Sequence, residues 1–453
     1  MVKIDQSIFK AYDIRGIYPN EIDEETVYRT AQAYVKFVKP KEIVLGKDVR
    51  LSSPSLWQAA AEGIIDAGVD VIDIGTISTD MLYFSVAKYG LGGGITISAS
   101  HNPGEYNGMK VVREEAIPIS SDTGLQEILQ IVLKSEKIIG KKKGRIIKKD
   151  IMEGYLNHIR SFIDTVKVKS LKIVANANFG LAGEVVKRLT KDMPVEIIGI
   201  NFTPDGNFPK GRPDPLIPQN RQETISKIEE TGADFGVAWD ADADRCFFFD
   251  GAGEFIEGYF ITATLAKTFL KRSPRSTIIF DPRLTWANIE TIVENGGVPI
   301  INKCGHSFFK DRMRREDAVF AGEMSGHYYF RDNFYADNGM IPFMIMMENL
   351  STSGKTMSQL MAPLKGKYFV SGEINREVKD TQKIIIHMEN RYRGSIVDHI
   401  DGLSIEYPDW RFNLRPSNTE PLLRLNLEAR SKDLMEEKRD EIVGQISRID
   451  EGR

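Results

Sequence analysis

Short β-branched runs alternate with amphipathic stretches of helical period through most of this chain, and that alternation decides much of what it can fold into. The runs are Glu42–Gly46, Val69–Gly75, Gly94–Ala99, Lys172–Ala175, Val195–Ile200, Asp234–Trp239, Thr277–Asp281 and Val319–Gly322. Around them, Thr26–Val38, Pro54–Ala67, Tyr259–Leu270 and Trp286–Glu294 repeat apolar residues at helical spacing. Parallel neighbours need a long crossover, which a helix supplies, so the rhythm predicts α/β domains with mainly parallel sheets and helices on both faces. Past Tyr368 the pattern changes to strands carrying Val, Ile and Tyr, then one charged helix from Lys432 to Ile449. That ending predicts a smaller α+β domain.

A chain of 453 residues exceeds what one core accommodates. The basic, weakly periodic stretch Lys134–Asp150 reads as a linker, the alternative being a polyphosphate or nucleic-acid patch. Further breaks near Gly251–Gly253 and Pro363–Lys367 give four domains, 1–150, 151–252, 253–367 and 368–453. Lys and Arg number 60 against 64 Asp and Glu, a net charge of −4, so any anion-binding site must be local and no nucleic-acid or membrane partner is expected. Two cysteines, Cys246 and Cys304, make no disulfide framework. The N-terminus lacks the features of a signal or transit peptide, and the apolar run Ile341–Met347 is too short to span a bilayer. The expectation is a cytoplasmic protein.

Four segments place polar residues at or just after an expected strand, where α/β sheets gather their sites. In the first, Ser100-His101-Asn102-Pro103 follows a glycine-rich approach and puts a hydroxyl on a turn that an anion can approach closely. It reads equally as an ordinary Ser/Asn/Pro turn, since a serine is a nucleophile only when something activates it. The second, Asp240-Ala241-Asp242-Ala243-Asp244-Arg245, sets three mutually repelling carboxylates where a cation would relieve them, the alternative being a solvated acidic loop. Oxygen-only ligands favour Mg²⁺, and an EF-hand is excluded because Arg245 and Gly251 stand at its glycine and glutamate positions. In the third, Gly322–His327, Glu323 and Ser325 suit sugar hydroxyls, although a plain turn has the same composition. The fourth offers the guanidinium of Arg415 with Ser417, Asn418 and Thr419, a compact set of donors for a phosphate or else a capping cluster. Ser353-Gly354-Lys355-Thr356 imitates a P-loop ending, but Asn349 stands where the first glycine is required, so it reads as a helix-to-helix turn.

Taken together these segments resemble the α-D-phosphohexomutase family, in particular its phosphomannomutase/phosphoglucomutase branch. FKAYDIRG at 9–16, GKDVRLSS at 46–53, SASHNP at 98–103, PDGNFPKGRPDP at 204–215, DADADR at 240–245, DPRLTW at 281–286, GHS at 305–307, GEMSGH at 322–327 and RPSNTEP at 415–421 follow one another in the family's order.

The resemblance implies a four-domain, heart-shaped architecture of three α/β domains and a smaller α+β domain. The four carry, in order, the phosphoserine loop, the metal loop, the sugar-recognition loop and the phosphate-binding segment. It implies that Ser100 is the phosphoserine, and that Asp240, Asp242 and Asp244 hold one Mg²⁺ together with an oxygen of the phosphoserine. Glu323 and Ser325 resemble the sugar-reading pair; Arg415, Ser417, Asn418 and Thr419 resemble the distal phosphate site. Tyr12, Arg15, His101, Lys110, Arg245, Arg283 and His306 resemble contacts around substrate and the transferring phosphoryl, with Lys110 and His306 as proton-transfer groups. The reaction implied exchanges phosphate between the 1- and 6-positions of mannose or glucose, through a hexose 1,6-bisphosphate that also serves as activator. The alternatives are glucosamine or N-acetylglucosamine phosphates as substrates, or an aspartyl-nucleophile phosphatase or mutase. The expected partner is a phosphorylated hexose, and the expected assembly a monomer or weak homodimer. Three departures stand out. Ala241 and Ala243 replace glycines, so the metal loop should use conformations open to ordinary residues. Arg283 stands where lysine is frequent, and Asn338 where aspartate is.

Overall fold

The computed structural model describes residues 4–134, 137–393, 396–416 and 422–451. The chain forms two compact units, one of residues 1–255 with 327–357, the other of 256–326 with 358–453.

In the first unit, a six-stranded sheet runs in the order Ile14–Ile17, Tyr106–Arg113, Gly93–Ile97, Glu42–Lys47, Asp70–Thr76 and Ile146–Lys148. The last four are mutually parallel, while Tyr106–Arg113 returns antiparallel to Gly93–Ile97 and to Ile14–Ile17. Helix Glu24–Val38 starts at Asp23, whose carboxylate accepts from Thr26 N, with Glu24 and Glu25 favourably placed at its positive end. It packs against Ser53–Asp66 so closely that a Cβ on Gly63 would lie 2.4 Å from the Tyr28 carbonyl oxygen. The stretch read as a linker is more than that, because Ile146–Lys148 pairs with Asp70–Thr76 and closes the sheet edge. Its charged residues concealed a strand exposed on both faces.

A second sheet of this unit pairs Phe235–Trp239 with Leu171–Asn176, and that strand with Val195–Ile200, all parallel; Cys246–Asp250 returns antiparallel to Phe235–Trp239. Ser100 and the aspartate trio thus occupy equivalent places, each in the turn between a parallel core strand and its antiparallel return. A hairpin connection can stay short where a crossover cannot, so both turns remain at the carboxyl edge of their sheets.

Asn338 in this unit is matched to its surroundings. Its Nδ2 donates to Asp80 Oδ2 at 2.6 Å, and its Oδ1 accepts from Met340 N and Ile341 N at 2.7 and 2.8 Å, capping helix Met340–Ser353. Asp80 also accepts from Ser78 and Tyr155, and burial pushes its carboxyl up to about 7. Asn338→Asp would set a second buried carboxylate against Asp80, and the two together must retain a proton. Their folded-state affinity for it would exceed that of the unfolded chain, so stability present at low pH is lost as pH rises through the folded value. We expect urea unfolding to show a loss of about 2 kcal/mol or more at pH 8 and a smaller one at pH 6. Equal losses at both would contradict this account.

In the second unit, Val298–Ile301, Thr277–Phe280 and Phe320–Gly322 are parallel neighbours in that order. The C-terminal sheet is antiparallel throughout, ordered Phe369–Glu377, Leu422–Ala429, Trp410–Pro416, Leu403–Glu406 and Ile396–Asp398, with helices Thr381–Arg391 and Lys432–Asp450. Glu428, fully buried, accepts from Thr285 N at 2.7 Å, Arg411 Nη1 at 3.1 Å and the Tyr259 hydroxyl. Arg411 also donates to the carbonyls of Pro282 and Arg283 at 2.9 and 3.1 Å, so this sheet fixes the loop that presents Arg283.

Candidate active site

The first unit assembles Ser100, the aspartate trio and most of the expected cations in one buried cluster. Ser100 is 4% exposed and sits at φ 51°, a left-handed conformation that costs an ordinary residue about 1 kcal/mol or more. Its N–H donates to Ser98 Oγ at 3.0 Å, and its Oγ lies 3.3 Å from Asp240 Oδ2 and 3.1 Å from His101 Nδ1. Burial, then the charges of Arg245 and Arg15, hold His101 well below its ordinary value, so the ring is neutral. Arg15 donates to Asn102 Oδ1 at 2.6 Å and pairs with Asp13, which places it beside the same turn. Tyr12 lies in the bend just ahead of strand Ile14–Ile17.

Ligand atoms of Asp240, Asp242 and Asp244 lie within 4.8 Å of one another, all buried. Like charges at that separation repel by about 3–4 kcal/mol per pair at an effective dielectric of 20. Two cations answer part of this. Lys110 Nζ donates to Asp242 Oδ2 at 2.7 Å and Asp244 Oδ2 at 2.6 Å. Burial works against its charge, but those two carboxylates win and raise its affinity for the proton well above normal. Arg245 donates through Nε to Asp240 Oδ2 at 2.8 Å, and its Nη1 lies 3.2 Å from Asp214 Oδ1. Thr79 Oγ1 donates to Asp242 Oδ2 at 2.6 Å.

Burial drives Asp240 well above the usual carboxylate range against the pull of Arg245. For Asp242, Lys110 overcomes burial and leaves the carboxylate ionised. Asp242 Oδ1 and Asp244 Oδ1 are buried with no hydrogen-bond donor among the described residues. Two such oxygens beside Asp240 are the donor set a hard divalent cation takes, so the residues present fit a metal.

Ala243 departs from expectation. It takes φ 54°, whereas Ala241 stays out of the left-handed region. The conformation is held from both ends, by Ala243 N donating to Asp240 O at 3.1 Å and Gly339 N donating to Ala243 O at 3.2 Å. One turn bond and one tertiary bond together outweigh the alanine's preference. His327 belongs to this cluster, its Nε2 lying 3.8 Å from Asp244 Oδ1.

The second unit gathers the remaining described candidates. Arg283 donates to both oxygens of Asp281, at 3.0 and 2.8 Å, and its Nη2 lies 4.0 Å from Glu323 Oε1. Glu323 Oε1 accepts from Gly305 N at 3.0 Å, which sets the start of helix His306–Glu316 and hence the place of His306. Ser325 lies in the turn closed by Gly326 N donating to Glu323 O at 3.0 Å. Arg415 is inside strand Trp410–Pro416 instead of in the loop after a strand, because its segment continues the pairing to Arg424. Ser417, Asn418 and Thr419 lie outside the described residues.

Around Glu373 stand Arg424 Nη1 at 3.4 Å, Arg283 Nη1 at 3.7 Å and Arg415 Nη2 at 3.9 Å. Arg415 Nε and Arg424 Nε have no acceptor among the described residues. Asp281 also pairs with Arg283, and Asp401 Oδ2 lies 3.7 Å from Arg415 Nη1, so what suits this place to a phosphate is the convergence of three guanidinium forks and not an excess of charge. Thr79, Asp214, Asp281, Glu373 and Arg424 are members of these clusters that sequence reasoning missed. Asp214 and Asp281 fell within quoted segments without a role, and the other three carry no local signal.

Four family models match the chain in succession. They are phosphoglucomutase/phosphomannomutase alpha/beta/alpha domain I over residues 6–138, domain II over 153–253, domain III over 257–368, and the C-terminal domain over 373–445. The chain is 45% identical over 446 residues to a phosphomannomutase of Escherichia coli, covering 96% of this chain and 98% of that protein. It is 44% identical over 442 residues to a protein of Xanthomonas campestris pv. campestris described as phosphohexose mutases, covering 97% and 99%. A crystal structure of a phosphoglucomutase/phosphomannomutase family protein from Burkholderia thailandensis matches with a TM-score of 0.88 at 32% identity, covering 98% of this chain and 97% of that one.

Proposed function

The chain belongs to the phosphoglucomutase/phosphomannomutase family, and on that premise we propose that Ser100 carries the phosphoryl group it exchanges between the 1- and 6-positions of a hexose. It is a hexose-phosphate mutase. The observation that carries the role of Ser100 is its buried hydroxyl, 3.3 Å from Asp240, beside two carboxylate oxygens without donors.

Asp240, Asp242 and Asp244 would hold the metal, which we take to be one Mg²⁺ per chain. When bound, it would supply Lewis-acid neutralisation of phosphoryl oxygens. Phosphoryl transfer is chiefly a matter of positioning and charge neutralisation, and this chain's own groups suit both. Arg245, fixed between Asp240 and Asp214, would meet the equatorial oxygens. Lys110, held protonated by Asp242 and Asp244, would act as a fixed positive charge that offsets the transferring phosphoryl group, since a proton held so tightly is poorly suited to transfer. Neutral His101 can accept from the Ser100 hydroxyl. In the second unit, Arg415 with Arg283 and Arg424 would take the phosphate that is not reacting, and Glu323 and Ser325 the sugar hydroxyls, with His306 close by.

Mannose and glucose 1-phosphates are the proposed substrates, since the similar proteins bear those names, and a hexose 1,6-bisphosphate is the proposed intermediate and activator. The domain limits 1–150, 151–252, 253–367 and 368–453 belong to the same reading. No described helix is long and apolar enough to cross a membrane. Cytoplasmic placement is part of the proposal and is supported by the two buried cysteine thiols, Cys246 and Cys304, neither of them in a disulfide. The test is isomerisation of mannose, glucose, glucosamine and N-acetylglucosamine 1-phosphates, primed with bisphosphate and Mg²⁺. Conversion of the first two at the highest kcat/KM is expected, and conversion of none would refute the reading.

Glu373 competes with an incoming phosphate for the three arginines. Glu373→Gln should therefore lower KM for the hexose 1-phosphate by about threefold to fivefold, the scale of a partly exposed ion pair. Inorganic phosphate should inhibit the variant at correspondingly lower concentration. A raised KM would mean that Glu373 orients the arginines instead of competing for them.

A further inference from the structure

Resting on that reading of Ser100, we infer that Arg50 is the positioning residue for the nucleophile, its guanidinium gathering the turn's carbonyl oxygens and fixing the direction of the Ser100 hydroxyl. Arg50 is 1% exposed and lies between strand Glu42–Lys47 and helix Ser53–Asp66, next to the strand that leads into Ser100. A guanidinium has five N–H donors in a rigid fork, and here each has an acceptor. Nη2 donates to Ser100 O and Asn102 O, both at 2.7 Å. Nη1 donates to Pro103 O at 2.5 Å and Tyr106 O at 3.0 Å. Nε donates to Asp48 Oδ2 at 3.1 Å.

The fork is itself held. Asp48 Oδ1 accepts from Arg50 N at 3.0 Å and Ser53 Oγ at 2.5 Å. One face of the guanidinium lies 4.9 Å from the Phe208 ring centre. Gly206 pairs with Arg50 so tightly that a Cβ there would come within 2.2 Å of Val49 O and 2.8 Å of Arg50 Cα. These contacts explain why the PDGNF segment, which supplies no reacting group, passes over this point.

The consequence for Ser100 is geometric. Arg50 holds its carbonyl and Ser98 Oγ holds its N–H, so the peptide planes on both sides are fixed. With both fixed, the Cα–Cβ direction follows, and the left-handed φ of 51° persists without a glycine. A lysine ammonium offers three donors from a single point and cannot span four carbonyls. Its substitution would leave buried acceptors unsatisfied and release the turn.

The test uses the full-length enzyme and two readouts, steady-state kinetics and the quenched-flow rate of Ser100 phosphorylation by hexose 1,6-bisphosphate. Arg50→Lys should lower kcat and the phosphorylation rate together by about 10²-fold, the scale of an ångström of misplacement. KM for the hexose 1-phosphate should stay within twofold. Arg50→Ala should recover part of its rate with millimolar guanidinium salts. If either variant fails to fold, Asp48→Asn covers the case, since it keeps the shape and loosens only the Nε partner; about a tenfold fall in kcat at unchanged KM is expected. A folded Arg50→Lys within threefold of wild-type kcat overturns the inference, as does an Asp48→Asn that matches wild type or a KM that moves with kcat. A wild-type enzyme that isomerises no hexose phosphate, or takes no phosphate on Ser100, overturns the underlying reading instead.

Discussion

Ser100→Ala is expected to lower kcat by about 10⁴-fold or more, because the variant has no oxygen on which the phosphoryl group can rest between its two positions. The size follows from the chemistry: Asp240, Arg245 and Lys110 remain, so the loss measures the carrier itself. Fold and substrate binding should survive. The hydroxyl's contacts are to His101 Nδ1 and Asp240 Oδ2, and alanine replaces it without adding volume. Incubation with hexose 1,6-bisphosphate followed by intact-mass analysis should find one added phosphate on wild type and none on the variant. Phosphate retained on Ser100→Ala, and lost in Asp240→Ala, would transfer the carrier role to an aspartate. Glucose 1-phosphate binding by calorimetry within a few-fold of wild type would separate lost chemistry from lost structure.

Asp242→Asn is the second large effect, about 10³-fold in kcat at fixed millimolar Mg²⁺. In the native cluster Lys110 and Thr79 both donate to Asp242 Oδ2, while Oδ1 has no donor. The amide can leave its oxygen with Lys110 and Thr79, which turns its NH₂ group towards the other two aspartates. It then presents donors where a cation needs acceptors. The Mg²⁺ concentration giving half-maximal activity should rise at least tenfold, since even groups behind the ligands shift metal affinity that much. Direct titration with Mn²⁺, read by electron paramagnetic resonance, should show the same weakening without reference to turnover. An unchanged midpoint in both measurements would remove Asp242 from the metal set.

Much of this was legible in the sequence, for identifiable reasons. A β-branched run and a helical spacing placed Val195–Ile200 and Trp286–Glu294 to the residue. Buried strands with glycine or carboxylate punctuation marked the turns at Ser100 and Asp240, because those turns need small or charged residues wherever the chain stops pairing. What stayed hidden depends on distant groups. Ile146–Lys148 was masked by the basic residues on either side of it, Lys141, Lys142, Lys143, Arg145 and Lys149, and a short exposed edge strand leaves little pattern of its own. The conformation of Ala243 is set by Gly339, almost a hundred residues away, and no local rule could anticipate it. Arg50 stood in a quoted segment without a role, because its acceptors are main-chain carbonyls, which leave no trace in side-chain spacing. Glu373 and Arg424 come together only through strand register.

The bridge from Lys110 to Asp242 and Asp244 has a bearing on how this protein is made. A nest of carboxylates without a counter-charge would oppose its own closure during folding. Here an ammonium encoded in strand Tyr106–Arg113 travels into that nest with the sheet. Maturation can then proceed in two independent stages, folding first and ion loading afterwards. Cellular scarcity of the ion would limit how many copies work, without limiting how many persist.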